Sequence, residues 1–448
     1  DSQVINSRGD HHVTSQHYSP FFDHRRMLFL LIALCMSLVC GEYSSATSKS
    51  SADIQFVFHD AGESLGLQPV VDNFIKDNTQ VSILCIGEPS TSIYQDYPQA
   101  TTLEALGVTD IEIIDGTEEG REQVLSEKDL LKVQTQLPAN VVVCGMAYAM
   151  QAQICSNILK TSGEKAYSMA FYDSFSLWSN TSVAAVYFTN PTPEAVANVM
   201  VSADDQRVSL TTPPDAVSPH CTVSLTGNPT LQSWAAVDAD ESKKQTTRAL
   251  LYGVGNTNVI GIVFAGGYGD NEYVNSLEIF CSTTKQLCAD HACGQASHKT
   301  NNNEERIYSF VFSPHPGYSS SFEAKLFRDW GCADHILILP EKLSISTAEL
   351  ITSSNVSVSQ CSTVGGQSLS VGVAHAYLTE VNGCEDVFTA SSLIPIASTS
   401  DDFVYLLLES DSFRGPDEDY TVDSAAVVAA GVPVNGTENI VSEINSHL

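Results

Sequence analysis

The sequence predicts an α/β protein made of two doubly wound domains, and three observations predict it. Short runs rich in Val, Ile and Phe recur from Asp53 onward without polar alternation, as in Ile54–Phe58, Val81–Ile86 and Val141–Cys144. Helix-like stretches separate them, and apolar strands alternating with helices form a parallel sheet covered on both faces. A proline-rich break at 190–235 (prolines 191, 193, 213, 214, 219 and 229) interrupts the pattern, which then restarts.

In the first half, Ile54–Phe58 reads as a buried strand, followed by a Gly-containing turn at His59–Gly66 and a helix through Lys76. Val81–Ile86 is the next strand, then a short helix to Leu106 and a strand at Ile111–Ile114. A polar helix covers Glu118–Gln136 and Pro138 ends it. Val141–Cys144, the helix Ala147–Leu159 and the strand Tyr167–Tyr172 complete the domain. In the second half, Ala249–Val254, Val259–Phe264, Arg306–Phe312, His335–Leu339, Val356–Ser359 and Leu393–Ile396 read as strands. Glu272–Cys281, Phe322–Trp330, Ala348–Ser353, Gln367–Tyr377 and Phe403–Leu408 read as helices. The expected domains are therefore 52–189 and 248–410, joined by a linker at 190–247, with a loose acidic tail at 411–448.

Two arginines precede the uncharged apolar run Met27–Gly41, which ends in small residues. A positive flank, a short apolar core and a small-residue exit describe a secretory signal peptide. The run is shorter than the roughly 20 residues that span a bilayer, so no stable membrane anchor is expected. Residues 1–26 are polar and His-rich, and read as an untranslated leader with Met27 as the start. The Arg8-Gly9-Asp10 triplet falls in that leader and has little weight as an adhesion motif.

The formal charge is −32, from 21 Lys and Arg against 53 Asp and Glu. Residues 1–41 hold three of each sign, so removing them leaves the balance unchanged. Such a field repels nucleic acid and anionic lipid and favours cation condensation. Beyond the signal, ten cysteines remain: 85, 144, 155, 221, 281, 288, 293, 332, 361 and 384. An even count in an exported chain suits disulfides. Cys281, Cys288 and Cys293, flanked by His291 and His298, fit either a local disulfide loop or a zinc site, and the spacing matches no standard zinc pattern. Asn180, Asn355 and Asn435 open sequons without proline, and each is a glycan acceptor if exposed.

Four short pieces at strand ends resemble the GT-B glycosyltransferases, two Rossmann-like domains facing across a cleft. They are His59-Asp60-Ala61-Gly62; Phe171-Tyr172-Asp173-Ser174 with Trp178-Ser179-Asn180; Ser313-Pro314-His315-Pro316, similar to the His-Pro motif of capsule-type transferases; and Ser359-Gln360-Cys361-Ser362-Thr363, similar to their paired-serine motif. The resemblance spans about residues 53–410. It implies that His59 or Asp60 deprotonates an acceptor hydroxyl and that His315 touches a donor phosphate. It also implies that Ser362 and Thr363 cap a helix N-terminus facing that phosphate, with Asp173 at the cleft edge. Each piece also has a purely structural reading as a turn, a cap or a loop tie.

The charge pattern departs from such chemistry. From residue 343 to 448 there are 14 acidic residues and one basic residue, Arg414, and none of the proposed phosphate loops holds Lys or Arg. The expectation is therefore a secreted acidic glycoprotein, a non-catalytic extracellular matrix component with a mineral-associated role in view, built on a GT-B-like scaffold. Its partners would be matrix components or cations, with no cofactor beyond weak Ca²⁺ association through carboxylates. The alternative is a glycosyltransferase of the secretory pathway using a nucleotide-sugar donor. No Gly-x-Ser-x-Gly or His-Glu-x-x-His motif supports a hydrolase.

Overall fold

Two parallel sheets carry the molecule, and residues 51–448 form one compact unit. The computed structural model describes residues 52–108, 111–117, 120–145, 149–162, 166–173, 175, 198–203, 222–253, 258–267, 271–294, 306–315, 320–340, 345–381, 383–410, 413 and 424–448. The leader, the apolar run 27–41, Cys221, Asn180 and the 417–419 acidic triplet lie outside them.

The first half contains β1 (Ala52–Phe58), α1 (Ala61–Lys76), β2 (Val81–Cys85), α2 (Glu88–Tyr94), β3 (Ala100–Thr102), β4 (Ile111–Thr117) and β5 (Gly120–Leu125). There follow α3 (Glu127–Gln136), β6 (Ala139–Gly145), α4 (Ala149–Ser162), β7 (Tyr167–Tyr172), β8 (Asn198–Val201) and β9 (Thr222–Leu225). Seven of these strands form one parallel sheet in the order β3-β2-β1-β6-β7-β8-β9. Phe56 and Phe58 face α1 with Leu67, Val70 and Phe74, while Val57, Val142 and Cys144 face α4 with Ile154 and Ile158. Both faces are covered, which is why these strands lack alternation.

The second half runs α5 (Thr230–Asp238), α6 (Glu241–Tyr252), β10 (Val259–Ala265), α7 (Asn271–Asp290), β11 (Ala292–Cys293), β12 (Ile307–Ser313) and α8 (Ser321–Trp330). It continues β13 (Ile336–Ile338), α9 (Thr347–Thr352), β14 (Val356–Ser359), α10 (Val364–Ser370), β15 (Ala374–Leu378), α11 (Val387–Ala390), β16 (Ile396–Ala397), α12 (Ser400–Glu409), α13 (Ser424–Ala429) and α14 (Gly436–Asn445). The second parallel sheet has the order β11-β12-β10-β14-β15-β16, and β13 pairs with β12.

Several expectations need correction. The 190–247 stretch is no linker: β8 and β9 are the last strands of the first sheet, and α5 and α6 follow. Ala249–Val254 is no strand; it includes the end of α6, whose N-cap Asp240 accepts from Lys243 N. Glu118–Gln136 splits into β5, paired antiparallel with β4, and α3 capped by Ser126. Gln367–Tyr377 splits at Gly372, whose φ of 73° suits glycine, into the end of α10 and most of β15.

The 411–448 tail is not loose either. α14 returns to the first domain and inserts Ile440 and Ile444 into the α1 core beside Val71 and Phe74. Glu443 accepts from Asn198 Nδ2 at 2.6 Å, and His447 stacks on Tyr167 at 3.6 Å between centroids. Ile440→Ala, fully buried, is expected to destabilise the protein by roughly 2–5 kcal/mol. An unchanged urea midpoint would show that α14 is dispensable.

Among the described residues four disulfides join Cys144–Cys155, Cys281–Cys332, Cys288–Cys293 and Cys361–Cys384, and Cys85 is a buried thiol outside them. Cys281, Cys288 and Cys293 are thus all oxidised, which removes the thiolates a zinc site there would need. No helix among the described residues is long and apolar enough to cross a membrane.

Candidate functional site

The carboxyl ends of β1, β7, β10, β12 and β14 converge on a cleft, the place where open α/β sheets bind ligands. Two chambers of about 270 and 360 Å³ share Asp173, His315, Ser362 and Thr363.

On the first-domain side, β1 runs into His59-Asp60 and α1 begins. Asp60 is the N-cap of a reciprocal capping box: its Oδ1 accepts from Glu63 N at 3.1 Å, and Glu63 Oε1 accepts from the backbone of His59 and Asp60. Glu63 Oε1 also accepts from Gln151 Nε2 at 2.7 Å. Glu63 is 1 % exposed. A Cβ at Gly145 would overlap its carboxyl group, so only glycine fits beside it. Burial, then the neighbouring Asp60, raise the Glu63 carboxyl well above the usual range, and Asp173 adds to the effect.

Asp173 follows β7 and lies over the start of α1, close enough that a Cβ at Gly62 would strike its Oδ2. Its backbone carbonyl accepts from Asn228 Nδ2 at 2.9 Å. Burial pushes the Asp173 carboxyl up to about 7, helped by the charge of Asp60. Asp60 itself is raised by burial, while backbone bonds from Glu63 and Gly62, and then His315 across the cleft, lower it. Two carboxyls and an imidazole thus face one another, with one carboxyl changing charge near neutrality.

The second-domain wall is built from loops in contact. Gly266 N donates to Ser313 O at 2.8 Å, and a Cβ at Gly266 would sit 2.9 Å from His315 N. Ser362 Oγ accepts from Val364 N at 3.3 Å, whereas Thr363 makes no capping bond. Tyr377 donates its hydroxyl to Asp386 Oδ2 at 2.6 Å, close also to Ser362 O at 3.1 Å. The Cys361–Cys384 disulfide ties the serine loop to the segment carrying Asp386, and Cys361 and Asp386 both line the cleft.

The structure therefore brings Asp60, Asp173, His315, Ser362 and Thr363 together. His59 is not on the cleft wall, which corrects its expected place. Glu63 holds its backbone nitrogen, Gly87 packs against its carbonyl, and burial lowers its imidazole to about 4. Ser174 and Trp178–Asn180 lie outside the described residues. The cleft lining contains no Lys or Arg among the described residues. Sequence reading missed Glu63, Tyr377, Asp386 and His375. The Asp60-x-x-Glu63 capping spacing was a visible signal for the first; reading 367–377 as one helix hid His375.

Of the sequons, Asn435 is exposed. Asn355 is half-buried, and its Oδ1 accepts from both Arg248 terminal nitrogens and from Gly261 N at 2.9 Å.

No family model matches the sequence, and no curated protein does. Solved structures do. The chain is similar to the UDP-GlcNAc 2-epimerase from Neisseria meningitidis bound to UDP-GlcNAc, with TM-score 0.55, 11 % identity, and 88 % of this chain and 99 % of that one covered. It is similar to a glycosyltransferase from Rickettsia africae, with TM-score 0.52, 10 % identity and coverage of 88 % and 99 %. It is also similar to the wall teichoic acid polymerase TagF, with TM-score 0.50, 9 % identity and coverage of 95 % and 98 %. These likenesses, with the two parallel sheets, show a GT-B fold.

Proposed function

We propose that the chain is an enzyme of glycosyl transfer that takes a nucleotide-activated sugar into this cleft. The observation that carries the reading is the Asp60–Asp173 carboxyl pair opposite His315 at the strand ends of a GT-B fold. A carboxyl that ionises near neutrality is matched to proton transfer at physiological pH. In the proposed step, ionised Asp173 accepts the proton of an acceptor hydroxyl as that oxygen bonds to the anomeric carbon. The bond from that carbon to the phosphate oxygen breaks, and the electron pair leaves with the nucleoside diphosphate. His315 is the one cleft-lining side chain among the described residues able to carry positive charge toward that leaving group.

This reading replaces the inactive scaffold expected from the missing Lys and Arg. The catalytic pair sits on the first domain, where local acidity serves a base, and a cation shortage does not remove it. Export into an oxidising compartment is part of the proposal, supported by the four disulfides and the signal-like run 27–41. A matrix or mineral-associated role, with weak Ca²⁺ association, rests on the −32 charge alone and stands second.

Calorimetry with a panel of nucleotide sugars tests the main reading. Micromolar binding to the wild type is expected, lost on His315→Ala. Absence of binding across the panel would return the matrix role to first place.

A further inference from the structure

Two neighbouring strands in the second sheet carry polar side chains where parallel strands are usually apolar. β14 reads Val356-Ser357-Val358-Ser359 and β15 reads Ala374-His375-Ala376-Tyr377-Leu378, with Ser357 opposite His375 and Ser359 opposite Tyr377. Side chains alternate along a strand, so Val356, Val358, Ala374 and Ala376 enter the α7 core. Ser357, Ser359 and His375 take the other face, toward α10. His375 is 1 % exposed. Its Nδ1 lies 2.7 Å from Ser357 Oγ and its Nε2 3.1 Å from Ser359 Oγ.

One proton order places a hydrogen bond on every contact of this chain, whereas the opposite histidine tautomer leaves the Ser357–Ser368 contact without one. Ser368 Oγ lies 2.7 Å from the Val364 carbonyl, which can only accept, so the Ser368 proton points there. Ser368 Oγ then accepts the Ser357 proton across 2.9 Å. In that order Ser357 accepts Nδ1–H from His375 across 2.7 Å. Burial lowers His375 to about 3, so the ring is neutral and carries one N–H. Nε2 is left bare, and Ser359 donates to it. The lone pairs of Ser359 remain for the cleft that this residue lines.

We infer that Ser359 is a hydrogen-bond-accepting specificity contact whose direction His375 sets, and that the ligand group beside it is a donor. A sugar hydroxyl or an amide N–H fits; an ionised phosphate, which offers only acceptors, does not. Asp60, Asp173 and Asp386 line the same chamber and, once ionised, repel phosphate by charge. The inference rests on the glycosyl-transfer reading of the cleft and assigns the 270 Å³ chamber to the sugar.

Titration of UDP-GlcNAc and UDP into wild type and Ser359→Ala tests it, together with the histidine ¹⁵N spectrum of the wild type, the His375 signal assigned by His375→Gln. Loss of one hydrogen bond weakens UDP-GlcNAc about 5-fold and leaves UDP unchanged. His375 is expected as the Nδ1–H tautomer. Equal weakening of both probes, or of neither, overturns the inference alone. An Nε2–H tautomer overturns it whatever the probes do, because Ser359 would then accept from the ring and turn its own proton to the cleft. A wild type that binds neither these probes nor any other nucleotide sugar of the panel overturns the glycosyl-transfer reading, and the assigned sugar with it.

Discussion

Asp173→Asn is expected to lower glycosyl transfer by about 10²–10⁴-fold, the usual contribution of a positioned general base. The amide keeps the shape of the side chain and removes its ability to take a proton. Substrate affinity should change little, so the loss belongs in kcat. The pH profile gives a sharper reading. Activity that needs ionised Asp173 falls as pH drops below about 7. Asp60 raises Asp173 by charge repulsion, so Asp60→Asn should move that limb to lower pH.

Stability has the opposite sense. A carboxyl whose folded pKa is raised from 3.8 to about 7 binds more protons folded than unfolded across that interval. Its stabilising contribution is full below pH 4 and is lost as pH rises to 7. Asp173→Asn removes the penalty above pH 7, so this variant should unfold at or above the wild-type temperature there. A variant that loses activity and stability together at pH 8 would instead mark Asp173 as a structural tie.

Much of the architecture was legible because buried parallel strands announce themselves. Val141–Cys144 and Val259–Phe264 are unbroken apolar runs, Ile54–Phe58 is interrupted by Gln55 alone, and each sits inside a sheet. The strands closing the first sheet were hidden for a physical reason. β8 and β9 are four residues each and embedded in proline-rich sequence; shortness hides the apolar β8, and β9 is in addition no more than half-buried. α14 was hidden by polar surroundings: Ile440 and Ile444, one turn apart, are the side chains that bury it in the α1 core.

The site divides along the same line. Asp60, Asp173 and His315 follow apolar strands, and placement at a strand end is readable from one sequence. Glu63 and His375 act through partners distant in sequence, Gln151 for one and Ser359 for the other. Only the folded chain brings those together. The expected silence of the cleft rested on the absence of Lys and Arg from the proposed phosphate loops and their scarcity over 343–448, counts that leave out the carboxyl pair on the opposite domain.

Loss of the Cys281–Cys332 bridge should destabilise the protein more than loss of any of the other three. The two cysteines are 51 residues apart, against 23, 11 and 5 for the others. Loop-closure entropy gives roughly 4 kcal/mol for the longest and about 2 kcal/mol for the shortest. Position adds to length: Cys281 and Cys332 are buried beside Phe280 and Phe327, where Ala replacements also leave a void. The bridge fixes α7 to the end of α8, the helix that follows His315 in the chain. The paired Cys281→Ala/Cys332→Ala variant is therefore expected to show the lowest guanidinium midpoint of the four paired variants. The Cys361→Ala/Cys384→Ala pair should differ in kind. It loosens the serine loop against Asp386, so ligand affinity should fall further than its roughly 3 kcal/mol of stability would suggest. Ranking the midpoints checks the first claim, and titration of each folded variant checks the second. A Cys281–Cys332 variant as stable as the Cys288–Cys293 one would mean that the α7–α8 junction is held by its aromatic packing without the bridge.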